Sequence, residues 1–184
     1  MYKICKTSLM DYREGYSEYN GVRIFYRDYG PKEATPVLLV HGLGAQLVHW
    51  PEHLIKFLLH NNFRPITFDN RDSGLSTRFK KKPSIIFGYL RYFLRLPIKS
   101  EYSLNDMAED GIKLLDHLEV EKAHILGTSM GGMISQIICA KYPDRVKTFT
   151  LIASTASVPS PLNGATKEVR EMMVNRSKTI NPTM

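Results

Sequence analysis

The sequence predicts an α/β fold in which a mostly parallel sheet is flanked by helices. Short runs rich in Val, Ile, Leu and Phe, typical of buried strands, alternate along the chain with segments whose apolar residues recur at helical spacing. Such alternation builds βαβ units, in which strands joined by a crossover helix run parallel. The composition fits one globular core, because 43% of the 184 residues are hydrophobic and 23% are charged.

The first half of the chain is predicted to contribute a hairpin, two strands and one helix. Asn20-Gly21 supplies two residues that tolerate a positive φ, which predicts a tight turn within a hairpin over residues 15–29. The helix begins with Pro51, which suits a first turn, and its apolar pattern comprises Trp50, Leu54, Phe57 and Leu58. The elements after the hairpin are predicted as strand, helix and strand at residues 37–40, 51–60 and 64–68.

The second half continues the alternation. Ser103 is a suitable N-cap, and Asp106 three residues later nearly completes a capping box. A later helix is predicted to end near Tyr142-Pro143, because proline cannot continue a helix. Residues 146–153 are rich in Val, Thr, Phe and Ile, and the βαβ pattern predicts that this strand is parallel to its neighbour.

The segment Gly127-x-Ser129-x-Gly131 lies directly after a short apolar run and directly before a helical pattern. That context is the one required by a nucleophile elbow, a tight strand-to-helix turn that holds a serine hydroxyl clear of the sheet. The flanking glycines allow close backbone approach. The first amides of the helix offer hydrogen bonds to an oxyanion.

Two further loops are expected beside this turn. His41-Gly42-Leu43-Gly44 follows the strand at 37–40, where an α/β sheet places ligand chemistry, and the Leu43 N–H is a candidate second oxyanion donor. The block at residues 69–76 is dense in side chains that close turns. We interpret Asp69, Arg71 and Asp72 within it as a structural ion-pair network rather than a catalytic carboxylate pair.

The net charge is +7, and the excess basic residues are dispersed along the chain except around residues 78–82 and 91–99. A solvated basic surface is favoured over a nucleic-acid groove. Within residues 78–100, apolar side chains share one helical side and basic ones another. We interpret this segment as a lid-like insertion covering an acyl pocket, and the alternative is contact of residues 78–99 with an anionic membrane surface.

Cys5 and Cys139 are far apart and have neither disulfide-framework nor zinc-site spacing. We therefore expect a cytoplasmic protein with no metal and no cofactor. The first ten residues lack the apolar region of a secretory signal, and no run approaches the roughly 20 apolar residues of a membrane span.

The three motif blocks, at residues 41–44, 69–76 and 127–132, resemble those of α/β-hydrolases in order and spacing, over roughly residues 15–157. Within that superfamily the block at 69–76 and the Trp50-Pro51 segment are similar to small-molecule esterases of the aclacinomycin methylesterase type. The resemblance implies Ser129 as the nucleophile and the Met130 and Leu43 N–H groups as the oxyanion hole. His41, Gly42, Gly44, Gly127 and Gly131 are then motif residues. Serine at the elbow disfavours haloalkane dehalogenases and epoxide hydrolases, which use aspartate there.

The same resemblance predicts an acid and then a histidine after the nucleophile, but none of the six histidines follows Ser129. We therefore interpret the chain as C-terminally truncated, without the last two strands and the acid and histidine loops. Residues 1–157 would form the hydrolase core with its insertion at 78–100, and residues 158–184 the start of a cap region or a disordered tail. Residues 146–153 would then be an exposed sheet edge open to association.

The leading hypothesis is a serine hydrolase that cleaves small-molecule or lipid-like carboxylic esters through a covalent acyl-enzyme, inactive or weakly active as this chain. The alternative is a catalytically silent hydrolase fragment or pseudoenzyme that binds an apolar ligand, a partner or a membrane surface. No nucleic-acid partner is expected.

Overall fold

The computed structural model describes residues 3–7, 10–79 and 101–156, with backbone alone for residues 3–7. The chain divides into two units, Met1–Ser154 and Thr155–Met184, and only the first two residues of the second unit are described. The predicted insertion at 78–100 lies outside the described residues except for Arg78 and Phe79, and the predicted segment 158–184 lies wholly outside them. The proposed division at residue 157 stays a prediction.

The described residues form seven strands and three α-helices, with short 3-10 turns at Leu47–His49 and Pro143–Arg145. The strands are β1 Lys3–Thr7, β2 Met10–Tyr19, β3 Val22–Tyr29, β4 Thr35–Val40, β5 Phe63–Phe68, β6 Ala123–Thr128 and β7 Val146–Ile152. The helices are α1 Glu52–His60, α2 Leu104–His117 and α3 Met130–Lys141.

All seven strands belong to one sheet in the order β1-β2-β3-β5-β4-β6-β7. Strands β5, β4, β6 and β7 are mutually parallel, whereas β1, β2 and β3 pair antiparallel with their neighbours and β3 pairs antiparallel with β5. Because β2 is antiparallel to β3 and β3 is antiparallel to β5, β2 runs in the same direction as β5. Five of the seven strands therefore run one way, and β1 and β3 run the other. The predicted mostly parallel α/β sheet is confirmed.

The hairpin is also confirmed, with φ of 49° at Asn20 and 76° at Gly21 and Tyr19 opposite Val22. It is longer than predicted, since β2 begins at Met10 and pairs with the additional strand β1. The polar character of residues 3–14 hid these strands, because an edge strand needs backbone pairing more than apolar side chains.

Strand β4 lies at the centre of two apolar clusters on opposite faces of the sheet. Val37 and Leu39 pack in a cluster with α1, while Leu38 and Val40 pack in a larger one with α2 and α3. This confirms the predicted strand buried on both faces. Phe57, counted in the apolar pattern of α1, is instead 62% exposed, because Ile55 and Leu58 occupy the inner side of that helix.

The capping box at the start of α2 forms as predicted. The Ser103 amide donates to Asp106 Oδ2 at 2.7 Å, and the Asp106 amide donates to Ser103 Oγ at 3.4 Å. These bonds satisfy amides that a helix start leaves without internal partners. They fix the beginning of α2 at a position that borders the cavity described below.

Candidate active site

Ser129 lies in the turn between β6 and α3. Its φ of 53° and ψ of −122° fall in a region that residues with a side chain rarely adopt. The side chain is exposed. The turn therefore presents a hydroxyl group on a strained backbone at the carboxyl end of the central strands, as the Gly127-x-Ser129-x-Gly131 motif predicts.

Glycines make this turn possible by close approach. A Cβ on Gly131 would lie 2.1 Å from the Val40 carbonyl oxygen, and one on Gly127 would lie 2.4 Å from Ser135 Oγ. The first turn of α3 thus rests directly on the end of β4. Any side chain at Gly131 would push Ser129 away from the sheet.

The loop at residues 41–44 lies against the serine. A Cβ on Gly42 would be 3.0 Å from Ser129 Cβ and 3.5 Å from its Oγ. Leu43 follows Gly42 in this loop, and Met130 opens α3, where the first amide has no acceptor within its own helix. The structure therefore brings the three predicted residues Ser129, Leu43 and Met130 to one place.

A cavity of about 570 Å³ lies beside these loops. It is bordered by the 41–46 loop, by the loop after β5, by the start of α2 and by Met130. Its position at the carboxyl ends of parallel strands is where α/β sheets bind ligands. Its size is in the range of small-molecule sites.

The loop after β5 is organised by Asp69, which is 2% exposed. Its two carboxylate oxygens accept the amides of Leu47 at 2.8 Å and Leu75 at 2.9 Å. A Cβ on Gly74 would overlap the same carboxylate at 1.9 Å from Oδ2. Asp69 therefore has a structural role, and its partners are backbone amides.

The expected ion-pair network of Asp69, Arg71 and Asp72 is wrong in its pairing. Arg71 instead binds Asp110 of α2 in bidentate fashion, at 2.5 Å and 2.9 Å. Asp110 is 4% exposed, and burial raises its pKa while the Arg71 guanidinium opposes that rise. A fork of two charge-assisted bonds is favoured over contact with a sequence neighbour because the planar guanidinium matches a carboxylate on a facing helix.

Asp72 accepts hydrogen bonds from both sides of the segment 80–100. The Phe79 amide donates to Oδ1 at 2.7 Å and the Tyr102 hydroxyl to Oδ2 at 2.6 Å. The two rings also contact each other, with centroids 5.0 Å apart, and the Arg71 guanidinium lies over both. Burial, followed by the bond to Asp72, raises the pKa of Tyr102 to about 12.

His41 joins the two loops. It is 4% exposed, its Nδ1 lies 2.9 Å from the Gly42 oxygen, and its Nε2 accepts the Asn70 amide at 3.3 Å. Burial lowers its pKa, which favours the neutral ring that this pair of contacts requires. These contacts agree with a structural His41.

No histidine among the described residues hydrogen-bonds Ser129 Oγ. Besides His41, four make other contacts: His49 Nδ1 with the Gln46 amide, His60 Nδ1 with the Lys56 oxygen, His117 Nε2 with the Tyr26 hydroxyl and His124 Nδ1 with the Thr148 hydroxyl. The sixth, His53, lies on α1. The described residues thus hold a candidate nucleophile without a base bonded to it.

Strand β7 forms one end of the sheet in the described part of the chain, since it pairs there with β6 alone. Phe149, Leu151 and Ile152 are 37%, 42% and 45% exposed. The strand is nevertheless connected to the elbow, because the Ser129 amide donates to the Ile152 oxygen at 3.0 Å. Within the described residues, one side of Val146–Ile152 is therefore unpaired, and association through the edge at 146–153 stays a prediction.

Three residues of this region were missed by sequence reasoning: Asp110, Tyr102 and Asn70. Asp110 left a readable signal, because it follows Met107 by three residues and precedes Leu114 by four on the buried side of α2. A charge at such a position predicts a buried ion pair. No local pattern pointed to Tyr102 or Asn70.

Within the described ranges, no helix is long and apolar enough to cross a membrane. Nor do those residues bring together three or more His, Cys, Asp or Glu side chains in an arrangement that could hold a metal ion.

Comparison with known proteins identifies relatives among hydrolases. Rhodomycin D methylesterase DauP of Streptomyces sp. (strain C5) is 27% identical over 135 residues, which are 73% of this chain and 40% of the relative. The putative carbamate hydrolase RutD of Variovorax paradoxus (strain S110) is 26% identical over 129 residues, 70% of this chain and 41% of the relative. The chain thus spans about two fifths of the length of these curated relatives.

Solved structures share the fold. Est816, described as an N-acyl homoserine lactone degrading enzyme, superposes with a TM-score of 0.59 at 26% identity, covering 76% of this chain and 45% of that one. A 2-hydroxy-6-oxo-6-phenylhexa-2,4-dienoate hydrolase from Rhodococcus sp. strain RHA1 gives a TM-score of 0.69 at 20% identity, covering 91% and 54%. The family model of the alpha/beta hydrolase fold matches residues 35–176. Sheet order, elbow and family match agree, and the chain belongs to the α/β-hydrolase fold family.

Proposed function

We propose that this chain carries the nucleophile and oxyanion site of a serine hydrolase that cleaves carboxylic esters of small molecules. One observation carries the proposal: the exposed hydroxyl of Ser129, on a turn with φ of 53°, lies against Gly42 beside a cavity bordered by Leu43 and Met130. The methylesterase relative and the cavity volume support an ester of small-molecule size. The two distant cysteines support a cytoplasmic location.

The proposed reaction has two steps. Ser129 Oγ attacks the ester carbonyl carbon, the carbonyl oxygen becomes an oxyanion held by the Leu43 and Met130 amides, and the alcohol leaves with the serine proton. Water then attacks the acyl-enzyme, the acid is released and the proton returns to Ser129. Both proton transfers need a general base. With no histidine after Ser129 and none bonded to it, we expect this chain alone to be inactive or only weakly active.

The test is covalent labelling with a p-nitrophenyl alkylphosphonate, followed by intact mass and peptide mapping. We expect a slow single adduct on Ser129 that disappears in Ser129→Ala. Ser17→Ala is the matched control, because Ser17 lies on β2 and makes only a 3.4 Å bond to the Lys113 oxygen, away from the cavity. No adduct on Ser129, or equal adduct in Ser129→Ala, contradicts the proposal.

A second function is favoured by a separate observation. The apolar side chains of Phe149, Leu151 and Ile152 along β7 suit a catalytically silent hydrolase that binds a partner through this edge. Concentration-dependent association that Leu151→Lys abolishes, together with absence of labelling, would select this alternative.

The proposed membrane contact of residues 78–99 would be tested by vesicle flotation, with loss of binding at high salt as the expected signature.

A further inference from the structure

We propose that Asn70 is a specificity-determining residue that accepts a hydrogen bond from the bound ester. The site would then select esters that carry a neutral hydrogen-bond donor, a hydroxyl or an amide N–H, on their acyl or alcohol group. This inference rests on the proposed function for the reaction that follows binding, and on Asn70 itself for the binding preference.

Asn70 occupies a central position in the candidate site. It lies two residues beyond β5, borders the 570 Å³ cavity and is only 3% exposed. Its side chain contacts His41. Gly42, which follows His41 in the chain, lies against Ser129. The Asn70 side chain is therefore connected to the Ser129 turn through His41 and Gly42.

The orientation of the Asn70 amide is fixed by its own hydrogen bonds. Nδ2 donates to the His41 carbonyl oxygen at 3.1 Å, and the Asn70 backbone amide donates to His41 Nε2 at 3.3 Å. A carbonyl oxygen only accepts, so the NH₂ end must face His41 and Oδ1 must occupy the other branch of the amide. Rotation about the side chain would break the bond to His41.

The Oδ1 atom is buried and has no hydrogen-bond partner within the described residues. A buried amide oxygen without a partner is unfavourable, whereas a bound donor would relieve that cost. A ligand with a methyl group in place of the donor would leave the oxygen unpaired. Sites built on such an acceptor discriminate strongly against analogues that lack the donor.

The experiment compares matched ligands that differ only in the donor. Binding of ethyl 2-, 3- and 4-hydroxybutyrate to the chain is titrated by NMR, each against the ester with methyl in place of hydroxyl. We expect at least one hydroxy ester to bind roughly tenfold more tightly than its methyl counterpart, the size of one buried hydrogen bond. If the affinities of the two esters agree within about twofold in all three pairs, the inference is overturned, because one buried hydrogen bond would change the affinity by more than that.

Variants separate Asn70 from general effects on the cavity. Asn70→Leu removes the acceptor, so the hydroxyl preference should fall to about one, as expected from loss of a single bond. Asn61→Leu is the matched control, because Asn61 also donates from Nδ2 to a backbone oxygen, that of Phe57 at 2.7 Å, but is exposed at the end of α1. A preference that survives Asn70→Leu contradicts the inference.

The outcomes also separate this inference from the proposed function. Selective binding without phosphonate labelling of Ser129 would refute the hydrolase proposal and leave the Asn70 assignment standing. Labelling of Ser129 without donor selectivity would refute the Asn70 assignment and leave the hydrolase proposal standing. Unfolding midpoints of the variants identify any loss of binding that comes from failure to fold.

Discussion

Two loops that border the same cavity are held in place by different forces. The elbow around Ser129 is shaped by contact distances, because Gly127 and Gly131 sit where no side chain fits. The loop after β5 is instead held by polar bonds, chiefly from the Asp69 and Asp72 carboxylates. The elbow should therefore fail when volume is added, and the loop when an acceptor or a charge is removed.

This difference suits what each loop presents. The proposed nucleophile must be held in one geometry, and close packing of the elbow against the backbone of β4 permits little movement. The loop after β5 lines one side of the cavity. Its backbone is held by the hydrogen-bonded aspartates, so the other residues of the loop can vary in sequence while the backbone keeps its position.

The largest effect is expected for Gly131→Ala. The new Cβ would lie 2.1 Å from the Val40 oxygen, a backbone atom that cannot move aside without disturbing β4. We expect a loss of roughly 3 kcal/mol or more in the free energy of unfolding. Urea titration followed by fluorescence of Trp50, the only tryptophan, measures it.

Gly21→Ala is the control for this substitution. Its φ is 76° but nothing lies within 4 Å of the added Cβ, so only backbone strain of about 1 kcal/mol is expected. Equal losses at the two glycines would show that close contact does not determine the elbow.

An intermediate effect is expected for Asp69→Asn. The new NH₂ group would take the place of one carboxylate oxygen. Its N–H would then face the backbone N–H of either Leu47 or Leu75, so that two donors meet without an acceptor. Loss of one charge-assisted bond and burial of an unpaired donor should cost about 2 kcal/mol in the same urea titration. The exposed Asp11→Asn is the control, expected within about 0.5 kcal/mol of the wild type. A cost no larger than that of the control would contradict the role of Asp69.

The smallest effect concerns pH. Because the pKa of Tyr102 is raised from 10.0 to about 12, this group contributes stability below pH 10.0 that is lost as pH rises through about 12. The difference in tyrosinate absorbance between the wild type and Tyr102→Phe isolates its titration. We expect a midpoint well above 10.0, which moves down in Asp72→Asn because the carboxylate that opposes ionisation is gone. A midpoint that stays unchanged in Asp72→Asn would contradict the bond to Asp72.

Local sequence signals predicted a hairpin turn, a helix start and the elbow itself. The Asn20-Gly21 turn, the Ser103 capping box and the glycines around Ser129 each require a specific backbone geometry that few other residues satisfy. Such requirements are visible in one sequence because the residue types are rare solutions to a local problem.

The partners within the loop after β5 were not predictable in the same way. Arg71 has two acidic residues within two positions, yet its partner Asp110 is 39 residues away on α2. Which carboxylate a guanidinium meets depends on how the helix packs on the sheet, and this is a property of the assembled core. Asn70 was missed for the same reason, since its unpaired oxygen exists only once His41 occupies its other end.

The hydrogen bond from the Ser129 amide to the Ile152 oxygen makes the proposed nucleophile a reporter of the opening of β7. Terminal strands open locally at a lower free energy than the body of a sheet, and an amide exchanges its hydrogen only when its acceptor moves away. Deuterium uptake at Ser129 should therefore follow the opening of β7 rather than that of β4. Any molecule that adds a strand to β7 would slow that uptake, so its docking could be timed from the amide of the serine itself.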